Sequence, residues 1–243
     1  MDTGIWATWY DVDEGEERAL HDWMHRTYLP HLKQLPGIAW VAHYAERGGG
    51  GGMQKVAGMV ERAPQDIGTG TQFLILVGAA TPQVFYSPLI YDVEKEADFV
   101  GHLAARKGVR SAIFSEQTRV NGPSAHMRTP GSTPGPGIQM GAFRTRTIDD
   151  EIDLGCWYAQ YRLPFMAQAK SCIAARKLLG VSGWAKHSIL YEFTSLDGRM
   201  KDFEEGHEEL ALDPKEWTGR VVKYTIHAHG SPTVGERIWP PVP

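Results

Sequence analysis

The chain repeats itself at one fixed offset. Trp23, Leu29 and Pro30 recur 134 residues later as Trp157, Leu163 and Pro164. A second, shorter signature recurs too: Asp98-Phe99 followed by Gly101-His102 matches Asp202-Phe203 followed by Gly206-His207, with one residue inserted. A repeat of this length divides 243 residues into two units of domain size, so the fold of one half must also serve the other. Between them, TPGSTPGPG at 129–137 can continue neither a helix nor a central strand, and it reads as a linker.

Element signals fall in the same order in both halves. In the first, aromatic-rich 4–12 suits a strand and 16–32 a helix. Strands are expected at 37–47 and 72–78, a helix at 94–107 and a strand at 110–120. In the second, the series is a strand at 137–146, a helix at 150–170, strands at 176–183 and 186–194, a helix at 197–210 and a closing strand at 219–229. The expected fold class is α+β: two βαββαβ repeats, 1–126 and 138–243, joined by a Pro/Gly linker at 127–137. A sheet of this type carries both helices on one face and leaves the other apolar, so two repeats in one chain are expected to pack their open faces together.

Composition narrows the function. With 25 Lys and Arg against 29 Asp and Glu, a net charge of −4 offers no footprint for nucleic acid. Two cysteines, Cys156 and Cys172, fit a reducing compartment and exclude a Cys-based zinc site. The most apolar stretch, 73–80, is too short to span a bilayer, and 1–6 lacks the basic and apolar regions of a signal peptide. The expectation is a soluble cytoplasmic protein.

Trp23 on a helix, Leu29-Pro30 six residues on, and Leu35-Pro36-Gly37-Ile38 entering a strand resemble the dimeric α/β-barrel superfamily. The likeness covers nearly the whole chain, as a tandem version of what is usually a dimer. It implies ferredoxin-like repeats closing an intrachain barrel, with a pocket between sheet and helices in each half. The chemistry it implies ranges over cofactor-free oxygenation, isomerisation, cyclisation, dehalogenation and haem reactions, and fold alone does not choose among them. Where many members carry a histidine before the Leu-Pro pair, this chain has Tyr28 in one half and Arg162 in the other.

Those two positions head the candidate site. A tyrosine there can donate a proton, and an arginine can fork onto a carboxylate or enolate. Helical periodicity places both at the edge of the buried stripe, by the sheet rim. His21 and His25 stand one turn apart, the spacing of a shared metal, but the Glu of a zincin motif is replaced by Asp22. His25, or His31 on the buried stripe, is a candidate base. In the expected closing strand, alternation puts Lys223, Thr225, His227 and His229 on one face, looking between the sheets. His207 and His43 read as core histidines. Trp6, Trp9, Trp40, Trp184 and Trp217 lie in or beside strands, as core or as walls for a flat substrate. Gly48–Gly52 lacks the Lys-Ser or Lys-Thr of a phosphate loop and reads as a flexible loop, a lid at most.

The catalytic candidates are therefore Tyr28, Arg162, His227, His229 and His25, with no cofactor and no metal expected. The expected function is a small-molecule enzyme acting by cofactor-independent acid–base chemistry, as lyase, isomerase or cyclase, on an aromatic or unsaturated carbonyl compound. A cofactor-independent monooxygenase and a non-catalytic binding protein are the alternatives. The expected partner is a small apolar or aromatic substrate, with a homo-oligomer open.

Overall fold

The structure, a computed structural model, describes every residue except 1, 88–89, 130, 209–211, 214 and 243, and the side chains of 206–208 lie outside the description. The reading of His207 therefore falls outside the described residues.

Ten strands are described: β1 (Gly4–Asp11), β2 (Ile38–Glu46), β3 (Glu61–Arg62), β4 (Phe73–Ala79), β5 (Lys107–Asn121), β6 (Gly137–Arg144), β7 (Cys172–Ser182), β8 (His187–Phe193), β9 (Ile226–His227) and β10 (Thr233–Trp239). Eight of them pair in the order β10-β2-β4-β1-β5-β7-β8-β6, and β6 pairs back onto β10, closing an antiparallel barrel. The first four long strands pair as β2-β4-β1-β5 and the last four as β7-β8-β6-β10. The seams between these groups are β5 with β7 and β10 with β2. Closure removes every free edge from these eight strands.

Alternation along the strands sorts the core into layers. Ile5, Ala7 and Trp9 of β1 point into the barrel with Trp40, Tyr44, Leu76, Phe114, Met140 and Leu190. Trp6 and Tyr10 point outward, under the helices of the first half. Phe143, Tyr191 and Phe193 do the same under the helices of the second. The barrel interior is thus filled with side chains, as an eight-stranded barrel of this size requires. The tryptophans at Trp9 and Trp40 are core, and the space expected between the sheets is packed.

The first helix of each half is broken in the same way. Glu14–Trp23 passes through a π-turn at Met24–Tyr28 into Leu29–Gln34, and Ile148–Trp157 passes through one at Tyr158–Arg162 into Leu163–Met166. The amide of Leu29 reaches back to Met24 and that of Leu163 to Tyr158, five residues each. Pro30 and Pro164 have no N–H to offer and crowd the carbonyl four residues before, so an inserted residue relieves both problems.

Two expectations need correction. Residues 219–229 are not the closing strand: Trp217–Tyr224 is a helix, β9 follows, and the strand that closes the barrel is β10. The face shared by Lys223, Thr225, His227 and His229 therefore does not exist. The glycine run is not simply a loop either. A helix, Gly51–Met59, starts inside it, and the segment that follows supplies β3, which pairs with β9. An insertion between β2 and β4 thereby reaches across onto the second half. Among the described residues, no helix is long and apolar enough to cross a membrane.

Candidate functional site

The π-turn explains where the two leading candidates point. An extra residue in the turn rotates the chain beyond it, carrying Tyr28 and Arg162 from the helix edge into the interior, where each is 1% exposed. Their surroundings are parallel. Tyr28 stacks on Trp23 with ring centroids 5.9 Å apart, and the Arg162 guanidinium lies 4.6 Å from the ring of Trp157, the residue 134 positions after Trp23.

Their chemistry diverges. The Tyr28 hydroxyl donates to Glu94 Oε1 at 2.7 Å, and Arg106 donates to the same oxygen at 3.0 Å. Burial, reinforced by the Glu94 carboxylate, holds the phenol well above its usual range and therefore protonated. Arg162 instead sits between the rings of Trp157 and Phe203, 5.0 Å from the latter. It also lines a cavity of about 60 Å³.

This cavity lies outside the barrel, between the outer face of the second-half sheet and its helices. Its walls include Phe143, Tyr158, Tyr191 and Phe203, with Gln139 and Thr225 as polar points. His227 also lines it, so two of the five sequence candidates, Arg162 and His227, meet at one cavity. The imidazole of His227 stacks on Phe143 at 5.3 Å. Its tautomer follows from its neighbours. Thr225 Oγ1 donates to the carbonyls of Val221 and Val222, so it accepts from His227 Nε2 at 2.9 Å. Ser231 Oγ accepts from the Ala142 amide and so offers its own proton to Nδ1 at 3.3 Å. Burial, with the Arg62 guanidinium nearby, pulls His227 down to about 3, so the ring is neutral at physiological pH.

His229 does not share the cavity. Its Nε2 lies 3.3 Å from the Pro64 carbonyl at the surface. His25 lies apart from the cavity, in a cluster that helical spacing alone only half revealed. His21 Nε2 and His43 Nε2 flank the Tyr10 hydroxyl at 3.0 and 2.8 Å, and His43 Nδ1 meets His25 Nε2 at 2.9 Å. Burial is the main reason why His21 and His25 fall to about 4 and why fully buried His43 falls well below its usual value. His43 joins the pair His21 and His25, yet both of its nitrogens are spent on hydrogen bonds. Among the described residues, no group of three metal-ligating side chains is arranged to hold an ion.

The second half has a counterpart that sequence reasoning missed. Lys177, 3% exposed, donates to the Leu178 carbonyl at 3.0 Å and contacts His187 Nδ1 at 3.2 Å. Glu151 stands 3.6 Å from His187 Nε2, and in the first half Glu17 stands 3.8 Å from His21 Nδ1. Burial lowers Lys177 to about 7 against the weaker pull of Glu151. Ordinary strand alternation gave no sign of it.

Haem, one of the chemistries the resemblance implies, does not fit the cavity's described residues. Its one described histidine, His227, has both ring nitrogens engaged, and no metal-binding group surrounds it.

No family model matches the chain, and no curated protein matches it. Solved structures do. A candidate monooxygenase from Fusobacterium nucleatum is similar with a TM-score of 0.58 and 6% identity, over 98% of this chain and 93% of that one. An anthrone oxidase-like protein gives 0.57 and 10%, over 97% and 90%. A candidate chlorite dismutase gives 0.55 and 11%, over 98% and 96%. Identity this low carries the fold alone, and that fold, end to end, is the one expected from Trp23, Leu29-Pro30 and Leu35-Pro36-Gly37-Ile38: the chain has the fold of a dimeric α/β barrel, closed within a single polypeptide.

Proposed function

We propose that the chain is a small-molecule enzyme whose reacting site is the second-half cavity, built on two βαββαβ repeats of which the second keeps the pocket. The reaction is acid–base chemistry without a cofactor on an aromatic or unsaturated carbonyl compound, of lyase, isomerase or cyclase type. One observation carries this: a guanidinium 1% exposed, set between two aromatic faces, at the wall of a cavity lined by aromatic side chains. A fixed positive charge in so dry a place is worth most where negative charge develops, as on the oxygen of an enolate. A flat substrate matches the walls, and its oxygen matches Arg162. His227, held neutral, supplies an acceptor once Ser231 turns its hydroxyl away from Nδ1. Tyr28, His25 and His229 take no part at this cavity.

Turnover of a panel of aryl β-diketones, unsaturated ketones and lactones, with and without oxygen, tests the reading. Arg162→Met should lower kcat/KM by about 100-fold or more, the cost of losing an oxyanion contact. Equal loss of affinity and turnover would make this a binding protein. Oxygen-dependent turnover would make it a monooxygenase, the alternative reading. Full activity in Arg162→Met would end the assignment.

A further inference from the structure

The wall of the second-half cavity is not all from the second half. Met53 and Val56 line it, and both belong to the helix Gly51–Met59, which the chain inserts between β2 and β4 of the first half. This helix packs with Leu212 and Val222 in a small apolar cluster of its own, separate from the larger cores.

Its attachment is polar and specific. The Met53 amide donates to Glu204 Oε1 at 3.1 Å, and the Gly50 amide also bonds this carboxylate. On the other side, Arg199 Nη1 donates to Glu204 Oε2 at 2.6 Å, and Arg199 Nη2 donates to Gln139 Oε1 at 2.6 Å. Gln139 itself lines the cavity. A continuous chain of hydrogen bonds therefore runs from the helix start to the cavity wall. The glycines make the approach possible: a Cβ at Gly50 would stand 2.7 Å from Glu204 Oε1 and 2.9 Å from Met200 Sδ, and one at Gly52 would stand 3.0 Å from Glu204 Cγ.

We infer that the helix Gly51–Met59 is a lid on the second-half cavity, that Glu204 latches it shut, and that Met53 sets the size of ligand the cavity accepts. The inference rests on the reading of that cavity as the reacting site, and it deepens it. A cavity of about 60 Å³ is far below the roughly 300 Å³ at which ordinary ligand pockets begin. At that size the cavity takes a one-ring ligand only after its wall gives way. Its other walls come from β6 and β8, the segment Trp157–Arg162 with Phe203, and the helix Trp217–Tyr224. The lid is the side held by a few hydrogen bonds and a small cluster, with Gly48–Gly50 before it as a pivot.

Two measurements test this on the full-length protein. In the first, amide hydrogen exchange at Gly50 and Met53 is compared between the native chain and Glu204→Gln, which keeps the side chain's shape and loses its charge. Exchange should speed at least tenfold at the lid and stay unchanged in β1 and β4. In the second, quenching of Trp157 fluorescence reports the binding of benzoate and 1-naphthoate. Met53→Ala should shift preference toward 1-naphthoate by at least tenfold, with Val56→Ala a weaker second case. If exchange at Gly50 and Met53 is unmoved by Glu204→Gln, the latch is overturned. If preference is unmoved by Met53→Ala while benzoate binds, the size-setting role is overturned. If neither probe binds any variant but lid exchange still rises in Glu204→Gln, the lid stands and the reading of the cavity as an anion-binding reaction site is what fails.

Discussion

At the scale of single residues, two helix positions 134 apart show how like surroundings can part in chemistry. Tyr28 and Arg162 occupy equivalent places beyond equivalent π-turns, each against a tryptophan. Tyr28 is tied into a Glu94–Arg106 pair in a first half whose helix-covered face is filled by Leu32, Val41, Ile75 and Phe99. Arg162 borders a cavity instead. Tyr28→Phe should therefore cost stability, about 1–3 kcal/mol for a buried hydrogen bond to a charged group, and leave ligand binding at the second-half cavity unchanged. Urea unfolding alongside benzoate titration separates the two, and a loss of binding without a loss of stability would move the site into the first half. Both positions were legible from the fixed offset of 134 and the Leu-Pro pairs. Their burial was not, because a wheel drawn at a regular helical step has no place for the extra residue that each proline induces.

Among elements, the closing strand was the one misplaced, and the reason is physical. In 217–229, Val222, Tyr224 and Ile226 alternate with polar residues, and β-branched side chains favour a strand. The same stretch also sets Trp217, Val221 and Tyr224 at helical spacing, and packing against the helix Ile148–Trp157 decides for that alternative, with the Trp217 indole and Tyr224 hydroxyl both donating to Asp153. The true last strand hides between Pro232 and Pro240, residues that ordinarily mark breaks. The helix at Gly51–Met59 was masked likewise: glycine is a poor helix former and two stand at its start, one of which, Gly52, lies close against Glu204, where a Cβ would stand 3.0 Å from Cγ. β10 pairs with β2 on one side and β6 on the other, so it is the stave that closes the barrel. A chain ending at Pro232 would leave β2 and β6 each with a free edge. It should lose its cooperative urea transition and bind hydrophobic dye; a native-like sigmoidal transition would show that the barrel closes without β10.

Across the whole molecule, the two halves are joined by buried charge as well as by strands. Asp2 receives hydrogen bonds from Trp40 at 2.7 Å, Arg128 at 2.9 Å, Arg119 at 3.0 Å and Arg176 at 3.2 Å, while Arg176 also reaches Glu116 at 2.7 Å and Arg128 reaches Glu192 at 3.0 Å. Burial alone would raise the Asp2 carboxyl, but Arg176 and Arg128 beside it win and hold it below the usual carboxylate range. Opposed to this charged seam are bases buried uncharged: His21, His25 and His187 at about 4, His227 at about 3 and Lys177 at about 7, each lowered first by burial. For a base whose folded value lies below its unfolded one, the unfolded chain takes up the proton first as pH falls. Stability is therefore complete above the unfolded value and drains away between the two. For the histidines that window runs from 6.5 down to about 4, or to about 3 for His227. For Lys177 it runs from 10.5 to about 7, and Asp2 adds its own loss only below 3.8. Tyr10 and Tyr28, raised above 10 chiefly by burial, set the alkaline limit, because the unfolded phenol loses its proton first there. Burial pushes the Cys172 thiol up to about 12, which costs stability above pH 9 and offsets the Lys177 gain there, so stability should peak between about pH 9 and 10 and fall on acidification well before any carboxylate titrates. Each neutral histidine contributes at most about 1.4 kcal/mol per pH unit within its window. Urea midpoints taken at pH 9, 7, 6, 5 and 4 read this directly, with His227→Gln expected to flatten the limb below pH 6.5. A midpoint that is level from pH 7 to pH 5 would mean that the unfolded chain takes up no extra protons there, and that these histidines are not buried in their neutral form.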